Sequence, residues 1–120
     1  MTTFVTPYKA IADNTRRRIL DLLRTESLTA GAIAEQFQRR GRSRRGMTRP
    51  AVSKHLAILR SSRLVIAKKQ GRERVYTLNA EPLREVNMWV QQYEAFWDQQ
   101  LQAFKDYVES EVKKEQASGD

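Results

Sequence analysis

The sequence predicts a mainly α-helical fold with a small β-hairpin and a long C-terminal helix. Apolar residues recur at helical spacing in the first 60 residues, and two β-branched runs follow between residues 64 and 78. From Glu81 to Glu115 the apolar spacing of three and four continues without a glycine, and Pro82 lies where a first helical turn tolerates proline. At 120 residues, the chain fits a single folding unit.

Capping residues predict where the first three helices begin. Pro7 to Ala12 is typical of a short helix that starts with proline. Asp13-Asn14-Thr15 offers N-cap side chains to a second helix, which should fade between Thr25 and Ser27. Thr29 can cap a third helix over Ala30 to Phe37.

The next helix presents a polar side to the solvent. Thr48 can cap it, and Val52, Leu56 and Leu59 recur at the spacing of a buried stripe. The residues that face away from this stripe are Arg49, Ser53, Lys54 and Ala57.

Two β-type runs follow, Leu64 to Lys68 and Arg74 to Leu78, joined through a turn that contains Gly71. Their residues are mostly β-branched or aromatic, so we expect an antiparallel hairpin. Because a two-stranded hairpin is marginal alone, it should pack on the helices.

Charge is concentrated in the first two thirds of the chain. Residues 1–80 hold 18 Lys and Arg against 5 Asp and Glu, whereas residues 81–120 hold 4 against 9. Such a basic segment is typical of nucleic-acid binding, because cations neutralise phosphates. The chain has no apolar run of about 20 residues that could span a membrane. It also shows no secretory signal and no cysteine, so we expect a cytoplasmic protein.

Three core helices followed by a hairpin, with a basic outer side on the third, is the element order of a winged helix-turn-helix. The major groove of DNA admits one α-helix, whose N-terminal half reaches the base edges. The candidates for this contact are Thr48, Arg49, Pro50, Ser53, Lys54 and His55. Arg72 and Arg74, near the hairpin tip, are placed to hold flanking phosphates.

Four blocks of the sequence resemble successive parts of the ArsR-type repressors. They are Lys9-Ala-Ile-Ala-Asp-Asn-Thr-Arg-Arg-Arg-Ile-Leu20, Leu28-Thr-Ala-Gly-Ala-Ile-Ala34, Arg49-Pro-Ala-Val-Ser-Lys-His-Leu56 and Gly71-Arg-Glu-Arg-Val-Tyr-Thr-Leu78. The resemblance spans residues 7–108 and implies a homodimeric winged-helix repressor. It also implies that the first and last helices form the dimer interface, and that the DNA-reading helix carries Pro50, Ser53, Lys54 and His55.

Two features differ from the family pattern. Many members sense metals through cysteines or clusters of His and Asp, whereas this chain has no cysteine and one histidine, so we expect no metal site and no cofactor. The segment from Gln38 to Met47 is also longer than the family's tight turn. We expect Arg42, Arg44 and Arg45 in this segment to contact DNA, because like charges repel unless an anion neutralises them. A solvated insertion is the alternative.

Three further features have more than one interpretation. His55 is a half-buried packing residue, a metal ligand or a DNA contact, and its place in the helix favours DNA. Ser53 and His55 do not form a catalytic pair, because residues two apart on a helix do not face each other. With no Gly-rich phosphate loop and no nucleophilic cysteine, we expect that the protein is not an enzyme.

The second predicted helix begins with three arginines, Arg16, Arg17 and Arg18. They serve either ion pairing or phosphate contact.

The apolar band of the C-terminal helix favours a homodimer. Helical spacing of aromatic residues indicates helix packing more often than a ligand pocket, although a small-molecule pocket beside this helix is the alternative. A second copy of the chain is the simplest cover for such a band. The candidate interface residues are Val86, Trp89, Val90, Tyr93, Phe96, Trp97, Leu101 and Phe104, with Tyr8 from the first helix.

The sequence therefore divides into a DNA-binding winged helix-turn-helix over residues 1–80 and a dimerisation helix over residues 81–120, within one folding unit. The first functional hypothesis is a sequence-specific transcriptional regulator, a repressor that binds a palindromic operator as a homodimer. The second is an interaction or architectural module that binds RNA or DNA without sequence preference. A specific regulator should prefer one duplex by at least about 10³ over random DNA.

Overall fold

The computed structural model describes residues 4–40 and 47–118. The chain divides into two compact units, Met1–Val86 and Asn87–Asp120. The elements in the described ranges are, in chain order, α1 (Pro7–Ile11), α2 (Asn14–Leu23), β1 (Leu28–Thr29), α3 (Ala30–Arg40), α4 (Arg49–Ser61), β2 (Val65–Gln70), β3 (Glu73–Leu78), α5 (Leu83–Gln91) and α6 (Glu94–Ser118).

Side-chain caps begin α2, α3 and α4 where the sequence predicts them. The side chains of Asp13, Thr29 and Thr48 each accept a hydrogen bond from the backbone N–H three residues later, at 3.0, 3.1 and 3.2 Å. Each bond satisfies one of the N–H groups that a helix leaves without an internal partner. All three predicted caps are confirmed.

The connection between α3 and α4 is shorter than predicted. We expected a loop from Gln38, but α3 continues to Arg40, so the predicted start of this loop is wrong. The residues at its end, Gln38 to Arg40, are all compatible with a helix, and the first glycine of the segment is Gly41. The arginines predicted to contact DNA, Arg42, Arg44 and Arg45, lie outside the described residues.

The predicted hairpin is confirmed, and a third strand joins it. The sheet order is β1-β3-β2 and both pairings are antiparallel. Gln70 pairs with Glu73, which leaves a two-residue turn whose first residue, Gly71, has a φ of +61°. A positive φ at this position is the arrangement of a type II′ turn, which glycine adopts without a steric penalty. The sequence did not predict β1, which has only two residues.

The hydrophobic core lies between the four N-terminal helices and the inner side of the sheet. The buried stripe of α4 is confirmed, because Val52, Leu56 and Leu59 are at most 1% exposed. The largest fully buried apolar side chains are Ile19, Ile33, Val52, Leu56, Leu59 and Leu64. Each such side chain stabilises the fold by about 1.5–3 kcal/mol relative to an exposed one.

The C-terminal segment is two helices. A long C-terminal helix is confirmed in α6, whose 25 residues span about 37 Å. The prediction of one continuous helix from Glu81 to Glu115 is wrong, because α5 ends at Gln91 and α6 begins at Glu94. The backbone N–H groups of Gln92 and Tyr93 bond to carbonyls three residues earlier, at 3.2 and 2.9 Å, so the helix tightens and stops there. Within the described residues, no helix combines the length and the apolar character that crossing a bilayer requires.

Helix α4 ends on a left-handed residue that is not glycine. Arg63 has a φ of +65°. The N–H of Leu64 bonds to the carbonyl of Leu59, and the N–H of Arg63 bonds to that of Arg60, both at 3.0 Å. This is the Schellman motif, which normally takes glycine at the position of Arg63 because a Cβ is disfavoured there by roughly 1–2 kcal/mol. The amide of Asn79 holds the turn by donating to the carbonyl of Arg63 at 2.8 Å.

Replacing Arg63 should therefore show a preference for glycine over alanine. Both Arg63→Gly and Arg63→Ala remove the guanidinium, which lies 5.0 Å from the centroid of the Phe4 ring, but only glycine removes the Cβ. We expect the glycine variant to have the larger free energy of unfolding, by about 1 kcal/mol. Urea denaturation at one fixed protein concentration measures this difference. Equal stability of the two variants would show that the left-handed turn is not strained.

Candidate nucleic-acid interface

The outer side of α4 is exposed and basic at its N-terminal end. The first turn of the helix contains no acidic residue, so the partial positive charge of its N-terminus is not neutralised within that turn. The exposed residues of this region are Thr48, Arg49, Pro50, Ser53 and Lys54. Five of the six predicted reading residues therefore lie at the surface of one half of a helix.

His55, the sixth, is half-buried. Its imidazole Nδ1 is enclosed and has no hydrogen-bond partner in the described part of the chain. A contact between His55 and DNA stays a prediction, since only part of the ring is available to a ligand.

The carboxylate of Asp13, the N-cap of α2, interacts electrostatically with this histidine. The backbone N–H of Arg16 holds the pKa of the Asp13 carboxyl below its ordinary value of 3.8, and partial burial opposes this effect. The Arg16 guanidinium, 3.8 Å from the carboxylate, and the imidazole of His55 lower the pKa further. The carboxylate therefore favours its ionised form next to α4.

Arg49 reaches back to the first turn of α3. A Cβ added to Gly31 would lie 3.6 Å from the guanidinium carbon of Arg49. The guanidinium therefore lies beside the start of α3, where the first turn again has no acidic residue. Arg49 therefore lies where α3 and α4 meet. The sequence did not predict this position, because Gly31 and Arg49 belong to different helices.

The hairpin adds a second basic surface. Lys69 lies directly opposite Arg74 on neighbouring strands, and both are exposed. Like charges at directly opposed positions destabilise a sheet unless an anion lies between them. Arg72 is exposed in the turn, and Lys68 is exposed on the other face of the sheet. The sequence prediction included Arg72 and Arg74 but missed Lys68 and Lys69, whose significance depends on the strand register.

The arginines of α2 have partners within the protein. The Arg16 side chain donates to the carbonyls of Ala10 and Lys9, at 2.7 and 3.1 Å. Arg17 donates to the carbonyl of Ile11 at 2.7 Å. These bonds are made to carbonyls at the end of α1, where a helix leaves its last C=O groups without a full set of internal partners; the carbonyl of Lys9 also accepts from the backbone N–H of Ala12. The guanidinium of Arg18 lies over the ring of Phe37, 5.8 Å from its centroid. All three arginines therefore contact other parts of the protein.

Most of the residues predicted to form a dimer interface on α5 and α6 are exposed. Trp97 and Leu101 are about half exposed and Phe104 is 63% exposed. Aromatic rings contact each other along the helices: Trp89 and Tyr93 meet edge to face with centroids 5.3 Å apart, and Tyr93 and Trp97 are stacked with centroids 6.4 Å apart. The remaining candidates are exposed (Phe96) or half-buried (Val86 and Val90).

Tyr8, the candidate from α1, is 37% exposed. Its hydroxyl donates to the backbone carbonyl of Glu85 at 3.1 Å. This bond holds α1 against the first turn of α5.

Known proteins share this arrangement. A helix-turn-helix domain model matches residues 11–66. The transcriptional repressor SdpR of Bacillus subtilis is 37% identical over 69% of this chain and 83% of its own, and the regulator Rv2034 of Mycobacterium tuberculosis is 32% identical over 92% and 96%. An ArsR-like transcriptional regulator from Rhodococcus sp. RHA1 superposes with a TM-score of 0.63 at 30% identity, covering 86% of this chain and 87% of that one.

The chain belongs to the ArsR-type winged helix-turn-helix regulators. It is a DNA-binding transcriptional regulator and not an enzyme. In this fold, α3 and α4 form the helix-turn-helix, and β2 and β3 form the wing. Among the described residues, no group of three or more His, Cys, Asp or Glu is arranged to hold a metal ion.

The lowered pKa of Asp13 makes its contribution to stability depend on pH. A carboxyl with a lower pKa in the folded state stabilises the fold above its ordinary pKa of 3.8, and this contribution is lost as the pH falls through the lower folded value. Asp13→Asn keeps a good N-cap but has no charge. We expect wild type to be more stable than Asp13→Asn at pH 7, and the difference to vanish in acid.

Urea denaturation of both proteins at pH 7 and at successively lower pH measures this convergence. Asp21→Asn is the matched control, because Asp21 is an exposed acidic residue of the same helix that caps nothing. A difference between wild type and Asp13→Asn that stays constant with pH would contradict the proposed role of the charge.

Proposed function

We propose that the protein is a repressor that binds a palindromic operator sequence-specifically as a homodimer. The observation that carries this proposal is the exposed, basic N-terminal half of α4, fixed in place by the fully buried stripe on its other side. A helix held in this way can enter a major groove with one defined face toward the bases. One of the relatives is named a transcriptional repressor, which supports repression over activation.

The residues of the reading helix divide into two roles. Ser53 and Lys54 are exposed in the first two turns, where side chains reach base edges, so we assign them to base recognition, with His55 beside them. Arg49 lies beside the first turn of α3, where backbone N–H groups and the guanidinium favour a phosphate together, so we assign it to the DNA backbone. Thr48 and Pro50 begin the helix and lie at the same surface.

The wing is assigned to flanking phosphates. Arg72 and Arg74 carry this role, and Lys69 joins them because its charge lies opposite that of Arg74. A phosphate between the two strands would relieve the repulsion of this pair. Arg42, Arg44 and Arg45 are proposed as further DNA contacts on their charge and their position before α4.

The homodimer is supported by the exposed apolar side chains of α5 and α6. Within this proposal, residues 1–80 form the DNA-binding part and residues 81–120 form the dimerisation part. Two copies would present two reading helices to grooves one helical turn apart, about 34–36 Å, so the operator should be an imperfect palindrome. Repression would follow because the bound dimer blocks the polymerase, and the protein would act in the cytoplasm.

Selection from random duplexes followed by binding measurements tests the proposal. We expect a palindromic sequence that binds at least about 10³ more tightly than random DNA, with an affinity that falls steeply with salt. Lys54→Ala should lower this preference by about 10- to 100-fold, because a lost base contact costs about 1–3 kcal/mol. Arg49→Ala should weaken binding to operator and random DNA alike, and the double variant should combine this general weakening with the reduced operator preference of Lys54→Ala.

Lys114→Ala is the matched control, since it removes the same charge from an exposed position on α6. It should leave both affinities nearly unchanged. Equal binding of all duplexes by the wild type would indicate an architectural DNA-binding protein instead. A Lys54→Ala, Arg49→Ala double variant that still selects the operator would show that α4 does not read it.

A further inference from the structure

Met47 lies at the start of the candidate reading helix. It directly precedes Thr48, whose side chain caps α4 by accepting a hydrogen bond from the N–H of Ala51 at 3.2 Å. Met47 is half-buried and packs against the hydrophobic core. Val52, the fourth residue after the cap, is fully buried in that core. An apolar residue before the cap and another four residues after it are the two positions of a hydrophobic staple, which fixes the direction in which the chain enters a helix.

The N-terminal end of α4 depends on these two positions more than the rest of the helix does. Leu56 and Leu59 anchor the later turns and are at most 1% exposed. In the first turn, Arg49 and Pro50 are exposed, so they bury little apolar surface. The large apolar side chains next to the first turn are therefore the two members of the staple, and this turn carries the exposed basic end of the helix.

Met47 is also a group that oxidants can modify. The chain has no cysteine, so its three methionines are the sulfur groups available to a peroxide. Met88, on α5, is 67% exposed. Met47 differs from Met88 because its side chain is only partly exposed and packs against the core, so its oxidation changes an apolar contact.

We propose that Met47 is a reversible oxidation site through which a peroxide weakens operator binding. The inference rests on the operator binding of the proposed function and adds its regulation. The sulfur attacks one oxygen of hydrogen peroxide, the O–O bond breaks, and a sulfur–oxygen bond forms. After proton transfer the second peroxide oxygen leaves as water, so the sulfur loses two electrons and the peroxide gains them. A methionine sulfoxide reductase reverses the change with two electrons from thiols and releases the oxygen as water.

The sulfoxide weakens the staple because its oxygen is a polar hydrogen-bond acceptor. Burying an acceptor without a donor costs free energy, so the oxidised side chain favours the solvent over its place against the core. The first turn of α4 then keeps its Thr48 cap but loses an apolar anchor. The packing of Leu56 and Leu59 is unchanged, so oxidation alters the orientation of the exposed residues Arg49 and Ser53 more than the fold as a whole.

Treatment of the full-length protein with dilute hydrogen peroxide tests the site. Peptide mass spectrometry measures the oxidised fraction of each methionine, and operator affinity is measured before and after treatment. We expect the wild type to lose about ten-fold in affinity when Met47 is oxidised, which corresponds to a helix-start contact of about 1.4 kcal/mol. Methionine sulfoxide reductase with a thiol should restore the affinity.

Three variants assign the effect to Met47. Met47→Leu keeps the apolar volume without sulfur, so its affinities with and without peroxide should be equal. Met47→Gln places a polar amide at the same position, so it should bind the operator more weakly than the wild type without any oxidant. Met88→Leu is the matched control, because it removes the more exposed methionine and should remain as sensitive to peroxide as the wild type.

A stability measurement gives a readout that does not need DNA. Urea denaturation at one fixed protein concentration should show a lower midpoint for the oxidised wild type than for the untreated protein. Met47→Leu should show no such loss. Circular dichroism of each protein checks that the helices remain formed.

The outcomes separate this inference from the proposed function. An untreated wild type that selects no operator would overturn the proposed function and the regulation of operator binding together, while urea denaturation would still report the loss of the staple. An operator that binds equally well after complete oxidation of Met47 would overturn only this inference. A Met47→Leu variant as sensitive as the wild type, or a Met47 that stays reduced while Met88 is oxidised, would do the same.

Discussion

The candidate DNA-binding surface depends on one packing constraint, which is the burial of the apolar stripe of α4 against the core. Val52, Leu56 and Leu59 are at most 1% exposed, so the helix cannot rotate about its axis without exposing them. A rotation by one residue position would also bring Ser53 and Arg60 toward the core, where an unpaired polar or charged group is costly. Truncating one of these side chains typically costs about 2–5 kcal/mol. The burial of three apolar residues therefore decides which polar residues of α4 meet the solvent.

Some basic residues stabilise the fold through contacts within the protein, whereas others are exposed and available to a ligand. Arg16 and Arg17 are bonded to carbonyls at the end of α1, so their charges are used inside the protein. Lys69 and Arg74 oppose each other on the wing, an arrangement that is unfavourable in the free protein. Binding of a polyanion relieves that repulsion, and the gain adds to the release of counterions from the DNA. A count of arginines and lysines alone does not distinguish these two groups.

Most of the fold could be predicted from the sequence because its signals are local. The caps at Asp13, Thr29 and Thr48 act within one turn of the chain, and the apolar stripe of α4 has an unambiguous period. The features that could not be predicted depend on residues distant in the sequence, or lack a local sequence signal such as a glycine or a proline. Strand β1 exists only because Tyr76 and Val75 offer it an edge. The break between α5 and α6 contains neither glycine nor proline. In the candidate site, the exposed half of α4 was predictable, but Lys69 and the position of Arg49 required the tertiary structure.

In the proposed function, DNA binding and the association of two copies respond differently to salt because they use different interactions. The basic surfaces of α4 and the wing attract phosphates, and added salt weakens this attraction steeply. The exposed side chains of α6 include many apolar ones, and burial of apolar surface is not screened by ions. Residues 81–120 hold 9 acidic against 4 basic residues, so two copies of this segment would repel each other overall, and salt would reduce that repulsion. The exchange between free and DNA-bound protein should therefore depend on ionic strength, whereas the proposed association of two copies should depend mainly on the burial of apolar surface.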